Sequence, residues 1–250
     1  MLQTRPFVLS LAGFDPSGGA GILADIKTVE NHQVYGVGIL TANTIQTEDA
    51  FVAIRWEKCD YVLQQLEAVA KRYQPQVVKI GIVESGSDLL HYIEMIKRCV
   101  PQAFILWDPV LRSSTQFDFT AHIDKQTLLA ILHQLDLITP NYMEMNQLID
   151  TDATPIEKAE SLRGICGVLL KGGHHPKTKA VDQLFTADEI HTFYPQRIFS
   201  QSKHGTGCIL SSAIASYIAL EYPLNQAIHK AKKYVEQTIA SNSSLLAYHV

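Results

Sequence analysis

The residues best suited to chemistry lie late in the chain, at Gly205-Thr206-Gly207-Cys208. They precede an apolar, alanine-rich run, 209–215, that predicts a buried helix. The first N–H groups of a helix lack intrahelical partners, and together with the helix dipole they attract anions. The same field is expected to lower the pKa of a thiol placed there. The segment predicts one of two arrangements. It forms either an anion site with a reactive cysteine, or a glycine-rich turn that caps a core helix, with a buried cysteine that has no chemical role.

A second glycine-rich segment, Gly13-Phe14-Asp15-Pro16-Ser17-Gly18-Gly19-Ala20-Gly21, follows the apolar run 7–12 and precedes a helical pattern. It matches neither the dinucleotide-binding nor the Walker pattern. Gly18-Gly19 would let a ligand approach the backbone, and Asp15 could accept hydrogen bonds from it. A strand-to-helix turn with unusual φ angles explains these glycines equally well.

Polar side chains also follow other apolar runs, in the order Gln46, Asp108, Asn141 and Lys171. Asn141 and Glu144 could organise a hydrated Mg²⁺ ion, although by themselves they are better explained as an N-terminal capping pair. Lys171 could reach a phosphate, but a solvated lysine is the commoner case. Asp108 precedes a proline and could be only a turn-forming residue.

Apolar runs alternate with amphipathic segments, without internal repeats or Ser/Gly linkers. This alternation predicts an α/β fold, a single domain over residues 1–250, with a mostly parallel sheet covered by helices on both faces. Strands are expected at 7–12, 37–42, 50–55, 77–83, 104–108, 137–139 and 167–171, with a hairpin at 182–185 and 189–193. Helical spacing is found at 22–29 and 62–73, and further helices are expected at 89–99, 125–134, 208–221 and 224–241. Because the carboxyl ends of parallel strands meet at one edge, the polar side chains that follow them should collect there.

Composition excludes several classes of protein. Hydrophobic residues make up 46% and charged residues 18%, and the net charge of −4 argues against a dedicated nucleic-acid binder. No apolar run reaches membrane-spanning length and no signal peptide is visible, so a cytoplasmic protein is expected. His174-His175 lacks supporting ligands, which disfavours a metal there. The cysteines are scattered without metal-ligand spacing and are expected to be reduced thiols: Cys59, Cys99, Cys166 and Cys208.

Four segments, taken in order, resemble the hydroxymethylpyrimidine/phosphomethylpyrimidine kinases of thiamine biosynthesis, members of the ribokinase-like superfamily. The segments are AGFDPSGGAGILADIKT at 12–28, TPNYME at 139–144, LKGGH at 170–174 and HGTGC at 204–208. The resemblance runs from about Phe7 to Ala240. It implies a three-layer α/β/α fold in which ATP and a small alcohol meet at the carboxyl edge of the sheet.

The resemblance also assigns roles to the candidate residues. The anion hole for the transferred phosphoryl group comprises Gly205, Thr206, Gly207 and Cys208, with Cys208 in the place of a catalytic base. The residues near the ATP phosphates are Lys171, Asp108 and Thr206. Mg²⁺ is organised, partly through water, by Asn141, Glu144 and Asp108. The pyrimidine pocket is lined by Gly13, Asp15, Gly19, Gln46 and Ile82.

The activity implied is ATP-dependent phosphorylation of the hydroxymethyl group of 4-amino-5-hydroxymethyl-2-methylpyrimidine, and then of the resulting monophosphate. A homodimer is also implied, with no nucleic-acid or membrane partner. The chain departs from the family pattern at Phe14, in the loose match of Leu111–Thr115 to a family loop, and in its end at Val250. These departures concern the efficiency of the second step, phosphorylation of the monophosphate.

Several other functions stay open. A pyridoxine/pyridoxal kinase shares the fold and the GTGC-type motif. A sugar kinase would carry aspartate at position 208, and a cysteine hydrolase would need a histidine partner for Cys208. A non-catalytic nucleotide-binding regulator would be expected to lose Cys208, Lys171 or Glu144, and all three are present.

Overall fold

The computed structural model describes residues 4–112, 119, 123–174, 180–199 and 203–249. Its centre is a nine-stranded sheet in the order β3-β2-β1-β4-β5-β6-β7-β8-β9. The strands are β1 Phe7–Phe14, β2 Tyr35–Gln46, β3 Phe51–Trp56, β4 Val77–Ile80, β5 Phe104–Trp107, β6 Leu137–Ile138, β7 Gly167–Leu170, β8 Asp182–Phe185 and β9 Ile190–Phe193. The helices are α1 Gly21–Asn31, α2 Cys59–Tyr73, α3 Gly86–Cys99, α4 Lys125–Leu132, α5 Tyr142–Leu148, α6 Pro155–Ser161, α7 Thr206–Ala219 and α8 Leu224–Ala240, with a 3₁₀ turn at Gly172–His174.

The predicted mostly parallel sheet is confirmed. Strands β2, β1, β4, β5, β6 and β7 run parallel, and the antiparallel strands β3, β8 and β9 lie at the two edges. The predicted hairpin is β8–β9. Strand β2 continues four residues past its expected end because its second half pairs with β3. Strand β4 is shorter than expected, since its ladder with β5 ends at Ile80.

The predicted helical layers on both faces of the sheet are also confirmed. On one face, apolar side chains of α2, α3 and α4 pack on the central strands; Leu66, Ile93 and Ile131 are fully buried there. On the other face, α1, α7 and α8 pack together, with Ile209 and Ile228 fully buried. Helix α7 is buried along nearly its whole length, which explains its alanine-rich sequence without a polar face.

The carboxyl ends of β5, β6 and β7 bring Asp108, Thr139 and Lys171 to one edge of the sheet. An isolated bridge between Asn141 and Lys171 extends the pairing of β6 with β7 at this edge. Of the family loop expected at 111–115, residues 113–115 lie outside the described part of the chain, as does His175. Among the described residues, no helix is both long and apolar enough to cross a membrane.

Candidate active site

Helix α7 begins two residues earlier than expected, so that Thr206 and Gly207 are part of its first turn. Gly205 is its N-cap, with a left-handed φ of 75°. A Cβ at Gly205 would lie 2.0 Å from the carbonyl oxygen of Gly19, so both the backbone conformation and the close contact require glycine. The first N–H groups of α7 have no partners within the helix, which is the geometry of an anion site. Its role as an anion hole stays a prediction.

Cys208 lies in this first turn, and its thiol accepts a hydrogen bond from the backbone N–H of Gly21. The expectation that the helix terminus lowers the pKa of this thiol is wrong for the free protein. Burial raises the pKa to about 11, and Asp25 and Asp108 act in the same direction, while Lys79 opposes them. Burial therefore dominates the pKa of this thiol, which is neutral at physiological pH.

A buried ion pair beneath Cys208 was not found by sequence reasoning. The Nζ of Lys79 on β4 lies 2.7 Å from Oδ2 of Asp25 on α1, and their side chains are 1% and 0% exposed. Asp25 also accepts hydrogen bonds from Ser10 at 2.6 Å and from Ser212 at 2.8 Å. These contacts join β1, β4, α1 and α7, and every partner lies inside the protein. Burial opposes the charge on Lys79, but the acidic groups around it, Asp25 first and then Cys208 and Asp108, together raise the pKa of the lysine.

A second ion pair lies at the edge of the sheet. The Nζ of Lys171 is 2.8 Å from Oδ1 of Asp108 and 3.7 Å from Oε2 of Glu144. Asp108 is fully buried and also accepts hydrogen bonds from Thr139 at 2.9 Å and Ser211 at 3.0 Å. Burial would raise the pKa of Asp108, but Lys171 and Lys79 hold it below its usual range. Both carboxylate oxygens of Asp108 are thus occupied within the protein.

This second pair meets the start of α7. A Cβ on Gly207 would lie 3.5 Å from Nζ of Lys171 and 4.0 Å from Oδ2 of Asp108. The sequence prediction that Lys171, Asp108 and the glycine turn come together is therefore confirmed as geometry. An anion held by the N–H groups of α7 would also be within reach of the lysine.

Asn141 and Glu144 form a complete capping box at the start of α5. Oδ1 of Asn141 accepts hydrogen bonds from the N–H groups of Met143 and Glu144, at 2.8 and 3.0 Å. Oε2 of Glu144 accepts one from the N–H of Asn141 at 2.7 Å. The capping alternative is thus present, and a role of these two residues in binding a metal stays a prediction. Burial raises the pKa of Glu144 to about 7, against the effect of Lys171.

Glu144 suits Mg²⁺ because it brings a carboxylate to the edge of the sheet. Its Oε1 has no hydrogen-bond partner among the described residues and could bind the ion. Mg²⁺ keeps most of its waters and needs only one or two carboxylates. Asp108 fits direct contact less well, because its hydrogen bonds leave no free oxygen.

The first glycine-rich loop is organised around Asp15. Its carboxylate accepts hydrogen bonds from Ser17 and from the N–H of Ala20, and it lies 2.8 Å from Nε2 of His204. Burial would raise the pKa of Asp15, but His204 and Ser17 hold it below its usual range. Asp15 therefore ties this loop to the glycine turn of α7, a connection that sequence reasoning missed. Its direct contact with a substrate stays a prediction.

Two of the predicted pocket residues touch. A Cβ on Gly13 would lie 2.4 Å from Cδ1 of Ile82, and the carbonyl of Ile82 accepts a hydrogen bond from Thr41 at 2.8 Å. Gln46 ends β2, three residues beyond the pairing of Asn43 with Phe14, where β1 ends. It therefore lies at the same edge but past the end of β1. The contact of Gln46 with a pyrimidine ring stays a prediction.

Comparison with known proteins identifies the family of this chain. The family model for phosphomethylpyrimidine kinase matches residues 15–250. The hydroxymethylpyrimidine/phosphomethylpyrimidine kinase of Escherichia coli (strain K12) is 32% identical over 249 residues, covering 96% of this chain and 93% of that protein. The protein of the same name from Staphylococcus aureus (strain Mu50) is 32% identical over 243 residues, covering 92% and 87%.

Solved structures share the fold. A crystal structure of phosphomethylpyrimidine kinase from Clostridium difficile 630 has a TM-score of 0.78 at 30% identity, covering 94% of this chain and 100% of that one. The pyridoxal kinase of Staphylococcus aureus in complex with ADP has a TM-score of 0.83 at 22% identity, covering 99% and 94%, and it supports the fold alone. The ribokinase-like fold implied by the sequence is confirmed, and the chain belongs to the phosphomethylpyrimidine kinase family.

Proposed function

We propose that this kinase transfers the γ-phosphoryl group of ATP to the hydroxymethyl group of 4-amino-5-hydroxymethyl-2-methylpyrimidine, and then to the resulting monophosphate, in thiamine biosynthesis. The observation that carries the proposal is the meeting of Lys171 with Gly207 at the start of α7, since phosphoryl transfer requires positive charge at the transferred group. The names of the relatives at 32% identity support the pyrimidine substrate.

The backbone N–H groups of Thr206, Gly207 and Cys208 hold the oxygens of the transferred group. The Lys171 ammonium, oriented by Asp108, neutralises the charge that develops on them. Glu144 would hold a hydrated Mg²⁺ ion, helped through water by Asn141 and Asp108, and the ion would offset charge on the ATP phosphates. The site for the transferred phosphoryl group thus combines the uncharged N–H groups of α7 with the fixed positive charge of Lys171.

Cys208 has a smaller role in this mechanism. Its thiol is neutral in the free protein because burial raises its pKa to about 11. A loose transition state asks little of a base until the phosphoryl group has nearly been transferred. We therefore assign most of the acceleration to the anion hole and Lys171, and proton acceptance to the small thiolate fraction that Lys79 favours.

The pyrimidine pocket comprises Gly13, Asp15, Gly19, Gln46 and Ile82, with Gln46 paired to the ring nitrogen and exocyclic amine. Contact between Gly13 and Ile82 supports their place in one wall of this pocket. We also propose that the chain is a single domain, because one sheet runs through its described parts, and that it acts as a homodimer in the cytoplasm. Sedimentation of the purified protein tests the dimer.

A pyridoxal kinase is the second candidate, because solved pyridoxal kinases share the fold with TM-scores of 0.81–0.83. An ATP-consumption assay with the pyrimidine, its monophosphate and pyridoxal compares these substrates directly. We expect turnover of both pyrimidines. Lys171→Met should lower this turnover about 10²–10³-fold. The exposed Lys71→Met serves as the matched control and should leave it unchanged.

Phosphorylation of pyridoxal without turnover of either pyrimidine would replace the first candidate with the second. ATP binding without turnover of any of the three substrates would favour the non-catalytic regulator.

A further inference from the structure

Three potential metal ligands meet between two helices on the other face of the sheet from Cys208. Cys59 is the first residue of α2, and Asp88 and His91 lie in the first turns of α3. Their ligand atoms, the thiol sulfur, a carboxylate oxygen and an imidazole nitrogen, all lie within 4.8 Å of one another. Asp88 and His91 are three residues apart, which places them on one face of α3, and Cys59 faces them from α2.

The surroundings of this cluster are acidic. The groups that act on the Cys59 thiol and on the neighbouring Tyr92 hydroxyl include Asp60, Glu84 and Asp88. Within the part of the chain that the structure describes, no ion pair includes any of these three carboxylates. Among the described residues, no side chain forms an ion pair that would balance this negative charge.

The Asp88 carboxylate is held in place. Its Oδ2 accepts a hydrogen bond at 2.9 Å from Ser85, and the Ser85 hydroxyl in turn accepts one from the N–H of Asp88 at 3.1 Å. Hydrogen bonds of this kind orient a carboxylate that binds a metal. His91 is exposed, which gives an ion a path to the cluster and leaves the imidazole free to rotate.

We propose that Cys59, Asp88 and His91 bind a zinc-type divalent cation, with water as the fourth ligand. Sulfur, nitrogen and oxygen donors together suit Zn²⁺, whereas Mg²⁺ prefers oxygen alone. Zinc bonds of about 2.0–2.3 Å in a tetrahedron place ligand atoms about 3.5 Å apart, so the three ligand atoms, which lie within 4.8 Å of one another, move closer together when the ion binds. The ion links α2 to α3 beside the loop that carries Ile82.

Substitution by Co²⁺ tests this directly, because a thiolate ligand gives a charge-transfer absorption that other ligands do not. Titration of the metal-free protein with Co²⁺ should produce this band, and Zn²⁺ should remove it by displacement. Cys59→Ser should abolish the band, and His91→Ala should weaken Co²⁺ binding at least tenfold. Zn²⁺ should also raise the Tm of the wild type but of neither variant.

Two variants serve as controls. Cys99→Ser removes a half-buried thiol at the other end of α3, and Cys208→Ser removes the thiol of the candidate active site. Both variants should keep the band. A band that survives in Cys59→Ser but disappears in Cys208→Ser would place the cation at the active site and overturn the proposal. Absence of any band in the wild type would overturn it too. His91 is exposed, so His91→Ala should stay folded and keep the test valid. None of these readouts depends on kinase activity, so the proposed function can fail without affecting the outcome.

Discussion

The two lysine–aspartate pairs use the same chemistry in different surroundings. In the inner pair, Lys79 and Asp25 are 1% and 0% exposed, and the remaining hydrogen bonds of Asp25 come from Ser10 and Ser212. In the edge pair, Lys171 is 12% exposed and lies near a further carboxylate, that of Glu144. A closed pair fixes the packing of elements, whereas a pair that keeps an open side can hold a ligand. Position at the strand end, rather than residue type, therefore separates the structural pair from the functional one.

The largest effect is expected from Lys79→Met. It leaves Asp25 as a buried charge without a cation, which should lower the free energy of unfolding by about 3–5 kcal/mol. Urea unfolding followed by circular dichroism measures this loss. The matched control is Lys71→Met, whose ion pair with Glu67 is exposed and should not matter. Equal stability of the two variants would show that the inner pair does not hold the fold together.

Lys171→Met should instead act on catalysis. Loss of one fixed charge at the transferred group is expected to lower kcat about 10²–10³-fold. The loss of stability should be smaller than for Lys79→Met, because Lys79 still acts on Asp108 as a second cation and the Lys171 side chain is 12% exposed rather than 1%. Steady-state kinetics and unfolding of the same preparation check both statements. A variant that unfolds as easily as Lys79→Met, with kcat intact, would reverse the assignment of the two pairs.

Two neighbouring serines of α7 offer a finer comparison. Ser212 donates to Asp25 and Ser211 to Asp108, so each serves one pair. Either serine-to-alanine change should lower the free energy of unfolding by about 1–3 kcal/mol, since each hydroxyl donates to a charged group. Only Ser211→Ala should also lower kcat, because it loosens the carboxylate that orients Lys171. Equal kcat in the two variants would argue against this coupling.

The smallest effect concerns the Cys208 thiol. Because its pKa is raised to about 11, the rate of its alkylation should increase about tenfold per pH unit between about pH 7 and 10, as the thiolate fraction grows. Lys79→Met should displace this rise to higher pH, and Lys171→Met should displace it less, since Lys79 is the cation that most lowers the pKa of the thiol. Mass spectrometry of the peptide that contains Cys208 follows the reaction. A rate that levels off below about pH 9 would contradict the raised pKa.

Much of the site could be predicted because strand ends can be identified from sequence. The alternation of apolar runs with helices placed Asp108, Asn141 and Lys171 at one edge, and the structure brings Asp108 and Lys171 into contact. The pairing of Lys79 with Asp25 joins residues 54 apart in sequence, so no local pattern identifies the partner. A signal was present nonetheless, since a lysine within the apolar run Val77–Ile80 must have a buried partner.

The pKa of Cys208 shows the other limit of sequence reasoning. The effect of a helix terminus can be read from the residues near it, whereas burial depends on what packs there from elsewhere in the chain. Here the backbone of Gly21 and the carboxylates of Asp25 and Asp108 surround the thiol. The local argument gave the wrong sign for that reason.

The position of α7 in the chain has a consequence for synthesis on the ribosome. This helix packs against α1 on one face of the sheet, yet α1 ends at Asn31 and α7 only at Ala219. At about 5–20 residues per second, roughly 10–40 s pass between the synthesis of the two helices. During that interval Asp25 can meet Lys79 but not Ser212, and the part of this face that α7 and α8 cover stays open. The nascent chain is therefore exposed to aggregation and to chaperones until the two last helices, the first of which also carries the candidate anion site, are made.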